Sequence, residues 1–172
     1  MKTQNRKNSK FIIVLKHIGF YLFQLTWGLP LTLIGLVGAI FMLLTFHKPK
    51  KVGYFIQFTA RNDYNGWGFE GGIFYFTSTD CENDISLITH EMGHCSYQQL
   101  WFGPFAVLIV TIPSLIRFWY REFLYRFKPE KAKKLPPYDS IWFEGTATKY
   151  GMKFYEKMVR EGIVKIQHGK GE

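Results

Sequence analysis

The sequence predicts an α+β fold in which a membrane helix or helical hairpin precedes a small mixed domain, and three observations predict it. Residues 18–46 form a run of 29 without a charged side chain, longer than the roughly 20 needed to cross a bilayer. Two aromatic and β-branched runs follow, 52–59 and 72–78, of the composition that favours strands. Beyond them apolar residues recur at helical spacing, around His90-Glu91-Met92-Gly93-His94 and again over 141–160. At 172 residues there is room for one modest globular unit. The expected division is therefore a basic N-terminus and membrane anchor over 1–47 and a folded domain over 48–172.

The anchor comes first. The net charge is +9, yet residues 1–62 carry nine Lys or Arg and no acid, while 63–172 carry thirteen of each sign. The excess charge brackets the apolar segment instead of coating the domain, which fits a membrane surface and excludes a nucleic-acid binder. Membrane lipids are thus an expected partner. Trp27-Gly28-Leu29-Pro30 supplies a natural break. Either an interfacial helix leads into one span from about Leu29, or two helices make a hairpin through the membrane. The hairpin keeps Lys10 and Lys48 on one side, which by the positive-inside rule places the domain on the cytoplasmic face.

The elements of the domain follow in order. Asn62-Asp63-Tyr64-Asn65-Gly66 is rich in turn formers and predicts that the two strand-like runs pair as one β-hairpin. Its edge either covers the helices or pairs with an extended peptide along a cleft. Asp84 is the expected N-cap of a helix over 84–101, with Ile85, Ile88, Met92 and Cys95 on its apolar face. Phe102-Gly103-Pro104 closes it. Residues 105–116 are apolar but short for a span and interrupted by Pro113, so they are expected to be re-entrant or packed on the domain. The basic, aromatic stretch 117–134 suits a helix on an anionic membrane surface or an ordinary solvated face. Asp139 or Ser140 is the expected cap of a last helix over 141–160, and the polar tail beyond it is expected to fray. Cys81 and Cys95 make no disulfide framework, and Cys95 reads as a small buried apolar residue.

Positions 90 and 94 lie one above the other on a helix face, so two imidazoles can hold one metal ion with Glu91 beside it as a general base. Zinc in a catalytic site takes three protein ligands and a water. His17 and His47 flank the membrane segment and His168 lies in the tail, which leaves Glu144. Glu144, Ala147, Thr148 and Gly151 share one face of the last helix. The small residues there let it approach the motif helix at Gly93.

His90, Glu91 and His94 with the later Glu144-Gly145-Thr146-Ala147 segment resemble the gluzincin branch of zinc metallopeptidases. The resemblance implies a zincin-like domain with His90, His94 and Glu144 as Zn2+ ligands and Glu91 acting on a zinc-bound water. Gln98-Gln99, Gly103-Pro104, Pro113-Ser114, Ala147 and Gly151 add a likeness to short uncharacterised bacterial membrane proteins over about residues 72–151. Many gluzincins carry an acid where this chain has Thr148, a residue able to accept an imidazole N–H without adding charge.

The expected activity is a membrane-anchored, zinc-dependent hydrolase acting on a peptide or protein. Tyr97, Tyr138 and Tyr155 are candidates for steadying the oxyanion. The alternative is a non-catalytic membrane protein whose zinc site is structural or vestigial and which acts by protein interaction, a reading that Thr148 favours.

Overall fold

The computed structural model describes residues 2–61 and 66–164, with side chains from Lys10 onward. The proposed turn at 62–65 and the tail beyond 164 lie outside the described residues. The N-terminal quarter is helical, as α1 (Lys2–Thr26) and α2 (Leu29–Leu44). Pro30 occupies the first turn of α2, where its missing N–H costs nothing. The chain bends there by 96°, and among the described residues no single helix is long and apolar enough to cross a membrane. Of the two expected arrangements, the single span from about Leu29 finds no helix of that length, since α2 has 16 residues, and the break falls where Trp27 to Pro30 predict it. Leu31, Thr32, Gly35, Ala39 and Met42 form the buried stripe of α2. Its other face exposes Leu33, Val37, Ile40, Phe41 and Leu44.

Four strands form one sheet: β1 (Lys50–Val52), β2 (Phe55–Ala60), β3 (Gly68–Gly71) and β4 (Phe74–Ser78), in the order β1-β2-β4-β3. The two strand-like runs do not make one hairpin. β2 and β4 pair in parallel, with Phe58 opposite Phe76. Each instead belongs to its own tight hairpin, β1–β2 and β3–β4, turned by Gly53 and Gly72 at φ +61° and +65°. The reason is β3. A four-residue strand bounded by glycines at 68 and 71 has little strand signature, yet it takes the antiparallel place beside β4. It is also the edge of the sheet.

The parallel register sorts side chains by face. Phe55 and Tyr75 join Ile88, Met92, Cys95, Tyr155 and Met158 in the main core. Phe58 and Phe76 join Ala39 and Met42 beneath α2. The sheet therefore lies between α2 on one side and two later helices on the other.

Those helices are α3 (Ile85–Gly93) and α7 (Trp142–Arg160). Asp84 caps α3, its carboxylate accepting from the Ser86 and Leu87 N–H groups. Helical structure continues past α3 as a widened π turn over His94–Gln98 and as α4 (Gln99–Phe102). A second π turn, Val107–Thr111, leads into α5 (Ile112–Phe127) and the short α6 (Pro129–Ala132). Pro113 does not interrupt this run, because the widened turn before it absorbs the missing donor. Ile85–Phe105 and Val107–Phe127 meet at a bend of 110°. For α7 the cap is Ile141, in extended conformation and without a side-chain bond. Asp139 and Ser140 are held instead in the short turn Tyr138–Ser140, whose backbone Arg117 grips by donating to Tyr138 O at 2.9 Å.

A candidate metal centre at the α3–α7 crossing

Two glycines decide how closely α3 and α7 cross. A Cβ on Gly93 would overlap the Ala147 carbonyl, and one on Gly151 would overlap the Thr89 carbonyl. With both absent, the helix backbones touch, and Glu144 in the first turn of α7 reaches the exposed ends of the two imidazoles. Glu144 Oε2 lies 3.1 Å from His90 Nε2 and 3.4 Å from His94 Nε2. The two Nε2 atoms are 3.1 Å apart. Ligand atoms spaced tetrahedrally at about 2.0–2.1 Å from a zinc ion would stand roughly 3.3–3.4 Å from one another. The three residues form a group that could hold a metal ion.

The hydrogen bonds behind these atoms test that fit. Gln98 directs its amide nitrogen at Phe143 O and at Thr146 Oγ1, the latter at 2.8 Å. Its Oε1 is therefore the atom 2.6 Å from His94 Nδ1, and it accepts the proton there. In the neutral imidazole that leaves Nε2 as the lone pair, the form in which it can bind a metal. His90 Nδ1 meets Thr148 Oγ1 at 2.8 Å, which turns His90 Nε2 inward as well. Ser114 Oγ donates to Glu144 Oε1 at 2.6 Å, so Oε2 is the free oxygen. Three acceptors converge, and a cation is what such a set binds.

Without a metal, the carboxylates around the site favour a proton in its place. Burial opposes charge on His94, but the adjoining Glu144, Glu70 and Glu91 carboxylates outweigh it and lift the imidazole to about 9. Burial also pushes the Glu144 carboxyl up, yet bonds from both imidazoles hold it well below the usual carboxylate range. The pocket thus draws in positive charge.

Glu91 stands beside the ligands at the floor of a cleft of about 680 Å³. Burial raises its carboxyl to about 7, against the pull of His90 and His94, the range in which a general base works best at neutral pH. β3 forms one wall of the cleft, with Trp67, Gly68, Phe69 and Glu70. A Cβ on Gly68 would strike the Glu91 carboxylate, so the strand edge passes directly over the base. The opposite wall is α5, through Leu115, Phe118, Trp119 and Tyr125.

Of the sequence candidates, His90, Glu91, His94, Glu144 and Thr148 are brought together. Tyr138 joins them at the cleft, its ring 6.1 Å from that of His90, between Arg117 and Arg121 at 5.4 and 5.5 Å. Tyr97 does not line the cleft. It stacks on Tyr150 at 3.7 Å instead. Tyr155 belongs to the main core, because its helix position lies on the sheet side of α7. Both cysteines are free, and Cys95 is fully buried as its apolar surroundings require.

Four contributors carry little sequence signal. Gln98 lies one helical turn after His94, the only clue to its role, and Ser114 and Gly68 reach the site purely through tertiary packing. Glu70, buried at the cleft and accepting from Thr111 Oγ1 at 2.7 Å, is likewise placed there by the unrecognised strand β3. No protein-family model matches the chain, and neither the curated proteins nor the solved structures give a match.

Proposed function

We propose that the protein is a membrane-attached zinc hydrolase of gluzincin type, acting on peptide bonds. The observation that carries this reading is the convergence of His90 Nε2, His94 Nε2 and Glu144 Oε2 within 3.4 Å of one another. Two nitrogens and one oxygen in a tetrahedral arrangement favour zinc among common divalent ions. Three protein ligands beside an open cleft match a catalytic site; a structural one is closed by four.

When bound, the ion supplies Lewis acidity to a water and to the substrate carbonyl. The rest falls to the chain's own residues. Glu91, buried and poised near neutrality, takes a proton from the attacking water and returns it to the leaving amine nitrogen. Burial raises the Tyr138 phenol well above its usual range, with the Glu144 charge adding to it, so the hydroxyl remains a donor for the developing oxyanion. The half-buried start of the β3 edge, Gly68 and Phe69, lines the cleft and offers backbone groups to an extended peptide, with Trp67 beside it.

The test is elemental analysis of the purified chain, with His90→Ala, Glu144→Ala and Glu91→Gln alongside. One zinc per chain is expected, lost in the first two variants and kept in the third. Glu91→Gln should lose on the order of 10²–10⁴-fold in peptide cleavage. Wild-type protein that takes up no zinc even after reconstitution would overturn the assignment.

One observation favours a second reading, a structural metal in a non-catalytic membrane protein. His90 is backed by the uncharged Thr148 hydroxyl, which raises ligand basicity less than a carboxylate does. On that reading Glu91→Gln would leave the biological effect intact.

A further inference from the structure

The two bent helix pairs meet at their bends, and each bend accepts a side chain from the other. A Cβ on Gly28 would overlap the Gln99 amide, and one on Gly103 would overlap the Trp27 indole. Three side-chain donors bridge the joint. Gln24 Nε2 donates to Cys95 O at 2.7 Å, Gln99 Nε2 to Gly28 O at 2.9 Å, and Trp27 Nε1 to Leu100 O at 3.2 Å. The elbows therefore interlock as one unit. Around it Leu25, Trp27, Leu100, Trp101, Phe105 and Leu108 are exposed, Trp101 to 67% and Phe105 to 63%. An apolar patch of this kind marks a surface that something covers.

The spacing of charges identifies what covers it. No Asp, Glu, Lys or Arg lies between Lys16 and Lys48, and none between Glu91 and Arg117. Lys16 precedes Trp27, and Arg117 follows Ala106, by eleven residues each, which is about 16 Å of helix. With bends of 96° and 110°, arms of about 16 Å tilted equally about the bend carry the elbow about 12 Å beyond the first charge. One leaflet of hydrocarbon is about 15 Å thick, half of the roughly 30 Å core. Each pair thus has one arm that fits one leaflet and is too short for two, and this shorter arm limits how deep its elbow can lie. Where they emerge, α5 turns aromatic and basic, with exposed Tyr120, Phe123 and Tyr125 among Arg121, Arg126 and Lys128. This is the composition of a headgroup layer contact.

We infer that the protein is monotopic: the elbows interlocked at Gly28 and Gly103 insert together into one phospholipid leaflet, and His90, His94 and Glu144 remain on the side of entry. The inference rests on the membrane attachment proposed above and not on catalysis. It replaces a hairpin through the bilayer with a wedge into half of it.

The experiment uses the full chain with Cys81→Ser, since Cys95 is inaccessible at 0% exposure, and single cysteines at Lys10, Lys48, Phe105, Leu108 and Lys128. Membrane vesicles of both orientations are treated with an impermeant maleimide. Cysteines at 10, 48 and 128 should react from the same side. Those at 105 and 108 should react from neither, and a fluorophore attached there after purification should be quenched by acyl-brominated phospholipid. Labelling of 105 or 108 from the opposite side would overturn the wedge while leaving membrane attachment standing. Labelling of 105 and 108 from the same side as 10, with no lipid quenching, would overturn the attachment itself. Because 105 and 108 are both exposed, agreement between them separates topology from misfolding of either variant.

Discussion

Gln98 keeps a proton on His94 Nδ1 and so turns Nε2 toward Glu144: the side-chain amide bonds Phe143 and Thr146 through nitrogen and presents oxygen, at 2.6 Å, to His94 Nδ1. Replacing Gln98 with Leu removes the acceptor that fixes the imidazole and leaves the buried His94 Nδ1–H unpartnered, while Phe143 O keeps the Thr146 hydroxyl at 3.2 Å. We expect metal affinity to fall about 10- to 100-fold and stability to fall by about 1–3 kcal/mol. Competition with a chromophoric chelator and urea denaturation measure the two effects. Unchanged affinity would show that His94 needs no such support.

Thr148 stands where a carboxylate would strengthen the His90 ligand. Thr148→Asp is expected to raise zinc affinity and Thr148→Val to lower it about 10-fold or more, read by the same competition. Weaker binding in Thr148→Asp would mean that the added charge disturbs the bond rather than reinforcing it.

Metal uptake should release a proton. Without metal, His94 titrates at about 9, so near neutrality it is protonated and must lose that proton to become a ligand. Zinc affinity should rise with pH up to about 9, close to tenfold per unit while one proton is displaced. Calorimetry in buffers of differing ionisation enthalpy gives the proton count. The metal-free fold carries the complementary trend. A histidine whose folded value lies above its unfolded value of about 6.5 contributes stability that is complete below pH 6.5 and is lost as pH rises through 9. Melting temperatures of chelator-treated protein should therefore fall over that interval.

The helix crossing is equally exposed to test. Gly151→Ala puts a methyl group against the Thr89 carbonyl, a backbone atom that cannot swing aside. Separation of α3 from α7 is expected, with a loss of about 2 kcal/mol or more and release of bound zinc as Glu144 withdraws. Full metal retention in that variant would show that the helices approach less closely than the glycines imply.

Much of the site is legible in the sequence because its signals are local or helical. His90 and His94 are one turn apart, and Glu144, Ala147 and Gly151 read as a single face once a close approach at Gly93 is supposed. Asp84 announces its helix by chemistry alone. What escapes is whatever depends on partners distant in sequence. β3 is four residues with too little side-chain pattern to read as a strand, and without it the parallel pairing of β2 with β4 cannot be anticipated. Gln98 looks like any polar residue on a helix until Phe143 arrives beside it. Tyr97 and Tyr155 were indistinguishable from Tyr138 because position along a helix does not say which neighbour it faces. The apolar run before Lys48 shows its break but not the angle, which is set by Trp27 packing on Gly103.

His90 and Glu144 lie 54 positions apart along the chain. A polypeptide emerging from the ribosome at about 5–20 residues per second has both imidazoles and the base several seconds before it has the third ligand. The sheet, the motif helix and the elbows can all be assembled in that interval, but a nascent or truncated chain ending before α7 holds only half a coordination sphere. A chain ending before α7 thus lacks Glu144, one of the three residues that together could hold a metal ion.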